Sequence, residues 1–249
     1  MPAPYDLFDY SYFWERRKFE DRCERIALKK IFTQVKKKET LLDIGGGFGR
    51  LATLYGSIFK SCTILDPSEK LLEIGKNSLR DYRNIIFKRG SLPFLPFTSS
   101  SFDTVLMVRV IHHLSAPSSA MKEIKRVLRP GGYFILEMAN KIHILARIRA
   151  GLRGDFSFAQ DLTPTEGRSK KSIEEKKITF VNHHPKKIIE LLSEAGFTVL
   201  TILSVSNFRH QFIKKIFPQK FLLVLEEILQ RPLGKIFFGP SIFILARKN

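Results

Sequence analysis

Long apolar runs are missing from this 249-residue chain. The longest uninterrupted apolar stretches are about five residues, as in Phe221-Leu222-Leu223-Val224-Leu225, far short of the roughly 20 that cross a bilayer. Cysteine is scarce as well. Cys23 and Cys62 are too few for a disulfide framework, and Cys62 falls in an apolar stretch with strand character, so a reducing cytoplasm is the expected compartment. The segment Met1-Pro2-Ala3-Pro4-Tyr5-Asp6 has neither a basic start nor an apolar core, and no signal peptide is expected there. Acid is the minority charge: 24 Asp plus Glu against 42 Lys plus Arg, a formal net charge of +18. The basic residues come in short clusters, Arg16-Arg17-Lys18, Lys36-Lys37-Lys38 and Lys214-Lys215 among them, rather than in one long run. Such a surface favours nucleic acid, acidic lipid headgroups or acidic metabolites, or else only solvates the fold. A chain of this length is expected to form one domain with additions.

Glycine is concentrated in one place. The apolar stretch Leu41-Leu42-Asp43-Ile44 runs into Gly45-Gly46-Gly47-Phe48-Gly49-Arg50, and Leu51-Ala52-Thr53-Leu54-Tyr55 then reads as helix. Glycines so placed admit left-handed backbone and let a ligand approach without meeting a Cβ, beside helix N-terminal amides. A dinucleotide fingerprint would need Gly or Ala where Arg50 stands, and no Gly-Lys-Ser/Thr follows to make a phosphate loop.

Further signals follow in order. Ser61 to Asp66 is a second apolar strand that ends in a carboxylate, suited to accept both hydroxyls of an adenosine ribose. Ile85 to Lys88 leads to Gly90-Ser91-Leu92-Pro93-Phe94, Phe102 to Val108 leads to Arg109 and His112-His113-Leu114, and Val127-Leu128-Arg129-Pro130-Gly131-Gly132 enters another strand. Ser68-Glu69 after Asp66-Pro67 carries a helix-start signature, Pro117 to Leu128 a helical pattern, and His184-Pro185 opens a helix that Gly196 ends. Strands alternating with helices argue for a parallel, doubly wound sheet. Phe197 to Val205 and Ser241 to Ala246 read as the last two strands.

The D-x-G-x-G-x-G loop with these followers resembles class I S-adenosylmethionine (SAM) dependent methyltransferases, and among them the methyltransferase type 11, ubiquinone-biosynthesis-like group. The resemblance covers residues 38–140 closely and 178–247 more loosely. It implies an α/β, Rossmann-like, doubly wound seven-stranded sheet, mostly parallel with the last strand antiparallel. It also implies an N-terminal helical lid over residues 1–36 and a methyltransferase domain over 37–249, with inserted helices, the insertions falling at about 139–182 and 206–240. S-adenosyl-L-methionine would be the cofactor. Asp43, Gly45, Gly46, Gly47 and Gly49 would shape its cradle, Asp43 by fixing the loop amides. Asp66 with Pro67 would hold the ribose, Ser91 and Leu92 would flank adenine, and Arg109 would lie beside the transferred methyl. Family members often carry Asp where Ser91 stands, so here the adenine contact lacks a charge. The aromatic run Tyr5, Phe8, Tyr10, Tyr12, Phe13, Trp14 would wall off the sulfonium, and Arg17 would reach the methionine carboxylate.

His112 and His113, just past the fourth strand, are the candidate general bases, since imidazole titrates near neutral pH; the alternative is a packing and capping element. No metal is expected, because no Cys, Asp or Glu stands at ligand spacing around His183-His184. The chain lacks the Asn/Asp-Pro-Pro-aromatic tetrad of adenine-amino methylation, neither cysteine follows a proline, and no appended RNA-binding module is visible. Apolar and aromatic insertions with basic flanks point to a small, hydrophobic or lipid-like acceptor, with contact at a membrane surface admitted. The alternatives are an RNA or protein methyltransferase, in keeping with the +18 charge, and a non-catalytic SAM-binding protein.

Overall fold

The computed structural model describes residues 14–169, 173–174 and 178–249. After helix α1 (Lys18–Phe32), strands and helices alternate: β1 (Thr40–Ile44), α2 (Ala52–Tyr55), β2 (Ser61–Asp66), α3 (Glu69–Ser78), β3 (Ile85–Arg89), β4 (Phe102–Met107), a 3-10 turn (Ile111–His113), α4 (Pro117–Val127) and β5 (Leu128–Ala139). Then come α5 (Ile144–Leu152), the short strands β6 (Thr165–Glu166) and β7 (Val181–Asn182), α6 (Pro185–Glu194), β8 (Phe197–Val205), α7 (Gln211–Ile216), α8 (Gln219–Gly234) and β9 (Ser241–Lys248). Seven strands form one sheet in the order β3-β2-β1-β4-β5-β9-β8, and β6 pairs with β7 separately. Every pairing among β1 to β5 is parallel, while β9 runs antiparallel to both β5 and β8. The expected doubly wound sheet with an antiparallel last strand is therefore present.

The central strands are buried on both faces, which is why β1, β2 and β4 are mostly apolar instead of alternating with polar residues, whereas the edge strands β3 and β8 are partly exposed. Leu41, Ile64, Leu106 and Ile135 pack with Cys23, Ala27 and Ile31 of α1 on one side. Leu42, Leu65, Met107 and Phe134 pack with Ile124 of α4 and Ile188 of α6 on the other. Caps appear where the sequence signals them: Ser68 accepts from the Leu71 N–H at 3.1 Å, and His184 Nδ1 from the Lys186 N–H at 3.1 Å. Both cysteines are buried and free, and burial pushes the Cys62 thiol up to about 12. No helix among the described residues is long and apolar enough to cross a membrane.

The helix expected after the glycine loop is present as the single turn Ala52–Tyr55, and its Tyr55 hydroxyl donates to Asp43. Other elements refine the expectations. The Pro-Gly-Gly motif lies inside β5, where Gly131 at φ +70 accompanies a register shift against β4, so it acts as a bulge. The inserted helices expected within 206–240 are two, and α8 packs on α1 and β8. The insertion expected at about 139–182 contains α5 and the short strands β6 and β7. Of the aromatic run, Trp14 is described; Tyr5, Phe8, Tyr10, Tyr12 and Phe13, with most of the N-terminal part of the expected lid, lie outside the described residues.

Candidate functional site

The carboxyl ends of β1, β2 and β4 converge on a cavity of about 270 Å³. Of the residues singled out from the sequence, Asp43, Gly45, Gly46, Gly47, Asp66, Pro67, Ser91, Leu92, Arg109 and His113 line it; Gly49 and His112 do not. Gly47 has φ +54, and a Cβ there would meet nothing nearer than Leu71 Cδ1 at 3.5 Å, so its backbone is open to an approaching ligand. Gly49 serves packing instead: a Cβ would lie 2.6 Å from Leu79 Cδ1, which closes the loop against the end of α3.

Asp66 ends β2 facing the loop. Its Oδ2 accepts the Gly47 N–H at 2.9 Å and its Oδ1 the Ser68 N–H at 2.9 Å, so the carboxylate is aimed by backbone donors on both sides. Asp43 is held differently. The Tyr55 hydroxyl donates to its Oδ2 at 2.8 Å, and burial pushes the carboxyl up to about 7 despite that bond.

Charge on the opposite wall is closely balanced. Glu24 of α1 is fully buried and receives Arg50 Nη2 at 2.6 Å on one oxygen and Arg109 Nε at 2.9 Å on the other. Arg50 also pairs with Asp21. Burial would raise the Glu24 carboxyl, yet Arg109 and Arg50 hold it below the usual carboxylate range. Burial works to lower the Arg109 guanidinium, and Glu24 with Glu137 raises it. The Trp14 ring sits against the same pair, 3.5 Å from Arg50 Cζ and 4.8 Å from Arg109 Cζ. Arg109 itself takes φ +61, and its N–H donates to Glu137 Oε2 at 2.8 Å, while Ser241 donates to the other oxygen at 2.6 Å.

The two histidines separate because successive residues of a 3-10 turn point about 120° apart. His113 reaches the cavity and its Nδ1 lies 2.5 Å from the Thr179 carbonyl oxygen; a carbonyl only accepts, so Nδ1 carries the proton. His112 is buried with its ring centroid 4.3 Å from that of Phe180, and its Nδ1 has no hydrogen-bond partner among the described residues. Burial first, then His113, holds it well below the ordinary imidazole range. It is a packing residue, which corrects its reading as a base. Arg17 lines a second cavity instead of this one. Among the described residues no group of three or more His, Cys, Asp or Glu is placed to hold a metal.

Sequence reasoning missed Glu24, Tyr55 and Glu137. A signal existed for Glu24: it interrupts the apolar stripe Cys23, Ala27, Ile31, and an acid on an inward face needs a cationic partner. Nothing local marks Tyr55 or Glu137, whose partners come from other strands.

Residues 42–136 match a family model described as a methyltransferase domain. An uncharacterized methyltransferase of Schizosaccharomyces pombe is 33% identical over 130 residues, 48% of this chain and 45% of its own length. The ubiquinone/menaquinone biosynthesis C-methyltransferase UbiE of Rubrivivax gelatinosus is 30% identical over 136 residues, 54% of this chain and 51% of its own. The chain thus spans about half the length of the curated relatives it matches. In fold it is similar to a SAM-dependent methyltransferase of Thermotoga maritima, with a TM-score of 0.62 at 23% identity over 96% of this chain and 95% of that one.

Proposed function

We propose that this chain, whose residues 42–136 match a methyltransferase domain, transfers the methyl group of S-adenosylmethionine to a small, hydrophobic or lipid-like acceptor. The observation that carries the reading is the clamped carboxylate of Asp66 opposite the open backbone of Gly47 in one cavity. The cavity suits that cofactor. Asp66 would accept the ribose hydroxyls, Ser91 would hydrogen-bond adenine, and Leu71 and Leu92 offer it apolar contact. Since Glu24 and Asp21 cancel the arginine charge on the far wall, a cationic sulfonium meets no net repulsion there.

The bound cofactor would supply an electrophilic methyl on positively charged sulfur. The residues of this chain align it and keep water out, and alignment alone can be worth ~7–11 kcal/mol. Trp14, set against Arg50 and Arg109, forms part of the wall where the acceptor would enter. His113 has the tautomer of a proton acceptor at Nε2 and serves where the acceptor must shed a proton. Exposed Leu145, Ile148 and Leu152 on α5, and Phe221, Val224 and Ile228 on α8, support an apolar acceptor, as does the name of the R. gelatinosus relative.

Calorimetric titration with S-adenosylhomocysteine tests the reading; one-to-one micromolar binding is expected, and none at high ligand concentration overturns it. Asp66→Ala should weaken that affinity tenfold or more, about 1.4 kcal/mol. Unchanged affinity removes the ribose assignment.

A further inference from the structure

A second cavity, of about 500 Å³, opens at the same edge of the sheet, between the start of α1, the β5–α5 segment and the β8–α7 loop. Its walls are basic: Arg16, Arg17, Arg149, Arg209 and Lys214, with Glu20 as the one carboxylate among the described residues that line it. Arg149 and Arg209 make no side-chain hydrogen bond or ion pair among the described residues. The arginines of the first cavity and of the β4–β5 side are matched, Arg109 and Arg50 to Glu24, Arg129 to Asp103 at 2.8 Å and Arg126 to Glu123 at 2.7 Å; Arg149 and Arg209 differ from the other exposed arginines in standing together on one cavity wall. Lys214 approaches Glu20 only to 3.8 Å, and the other Glu20 oxygen is buried without a hydrogen-bond partner among the described residues.

The crowding of like charge registers on the neighbours. Burial first, then Arg209 and Arg149, push the His143 imidazole down to about 4. The surrounding protein and then the Arg17 charge lower the Arg209 guanidinium, although the side chain is exposed to solvent; it stands on the wet wall of a cavity within protein of low dielectric. The array is also built. Buried Glu226 of α8 accepts the Asn207 N–H at 3.0 Å and the Ser206 N–H on its other oxygen, fixing the turn that carries Arg209, with Ser206 at φ +61.

Cations held together this way raise the local potential until an anion neutralises them, and guanidinium forks match phosphate oxygens two at a time. We propose that this cavity binds the phosphate or pyrophosphate group of the methyl acceptor, an inference that rests on the reading of the first cavity as the donor site. Arg17 and Arg209 both lie within electrostatic reach of Arg109, which borders the first cavity, so an acceptor anchored here extends towards the donor. The unpartnered oxygen of Glu20 would take a hydroxyl or N–H of the same ligand.

Titrating the full chain with inorganic pyrophosphate at constant ionic strength, with and without S-adenosylhomocysteine, tests this. Saturable one-to-one binding is expected, weakened tenfold or more by Arg149→Gln with Arg209→Gln, while S-adenosylhomocysteine affinity stays within twofold. Should that double variant lose both ligands, the single Arg149→Gln is read the same way. Binding unchanged by the substitutions, or absent at millimolar pyrophosphate, overturns the proposal even if S-adenosylhomocysteine binds. Pyrophosphate binding without S-adenosylhomocysteine binding overturns the donor-site reading and leaves the anion site standing. Competition by vesicles of phosphatidic acid but not of phosphatidylcholine assigns the group to a lipid headgroup, and competition by a soluble phosphomonoester alone assigns it to a free metabolite. Displacement by RNA alone overturns the small-acceptor form.

Discussion

In the first cavity Arg50 and Arg109 converge on Glu24, Asp21 adds a second carboxylate, and Asp43 and Asp66 stand on the facing wall. In the second, Arg149 and Arg209 form no ion pair among the described residues, and Glu20 is the one carboxylate among the described residues that line the wall. Both cavities draw on the same few residues ahead of and within α1, Trp14 to one side and Arg16, Arg17 and Glu20 to the other. One edge of one sheet thus presents a charge-balanced site and an unbalanced one within electrostatic reach of each other. Balance suits a ligand that carries positive charge itself, and imbalance suits an anion. A cationic methyl donor beside an anionic acceptor is the pairing this arrangement would recognise.

The largest expected break of that contrast is Glu24→Ala. Removing the acid leaves two arginines buried at the first cavity without their shared partner, and loss of one member of a buried network costs about 3–5 kcal/mol. Urea denaturation measures it, and a loss under 1 kcal/mol would mean solvent already compensates the arginines.

Asp43→Asn should act next. The Asp43 carboxyl sits at about 7 when folded against its ordinary value of 3.8, so the folded protein holds a proton that the unfolded chain has released between those values. Its contribution to stability is therefore full below about pH 4 and is lost as pH rises towards 7, on the order of 2–4 kcal/mol. Asparagine keeps an acceptor for Tyr55 and has nothing to titrate. Melting temperatures from pH 5 to 8 should fall less steeply in the variant; identical slopes would place the titration elsewhere, for instance at Glu226, which burial also pushes up to about 7.

The smallest effect sharpens the comparison from the other side. Arg209→Ala removes an unpaired cation from a crowded positive wall, and its stability should stay within about 0.5 kcal/mol of the parent. A loss of 2 kcal/mol or more by the same denaturation would reveal a structural partner and end the contrast.

The glycine loop, the carboxylate ending β2 and the strand alternation were legible because each is local: a strand, a turn and a helix start are written in consecutive residues. The helices of residues 206–240 were harder, since α8 becomes intelligible only once it lies on α1, where Gln230 donates to the Cys23 carbonyl at 3.0 Å. The same limit explains the histidines. The pair His112-His113 is plain in the chain, yet which one faces the cavity depends on the phase of a three-residue turn and on Phe180 arriving from a distant segment. Gly49 was assigned to the cradle by its spacing, whereas its use is decided by Leu79, a side chain from the end of the next helix.

What the chain determined by itself was the doubly wound sheet and a ligand-binding loop at its carboxyl edge, because periodicity and glycine conformational freedom act over a few bonds. Which charges cancel and which accumulate was decided only in three dimensions. Glu24 finds Arg109 across 85 positions, and Arg149 and Arg209 are brought to one wall by unrelated connections. Electrostatic energy depends on separation through space and on burial, and neither is a property of sequence order.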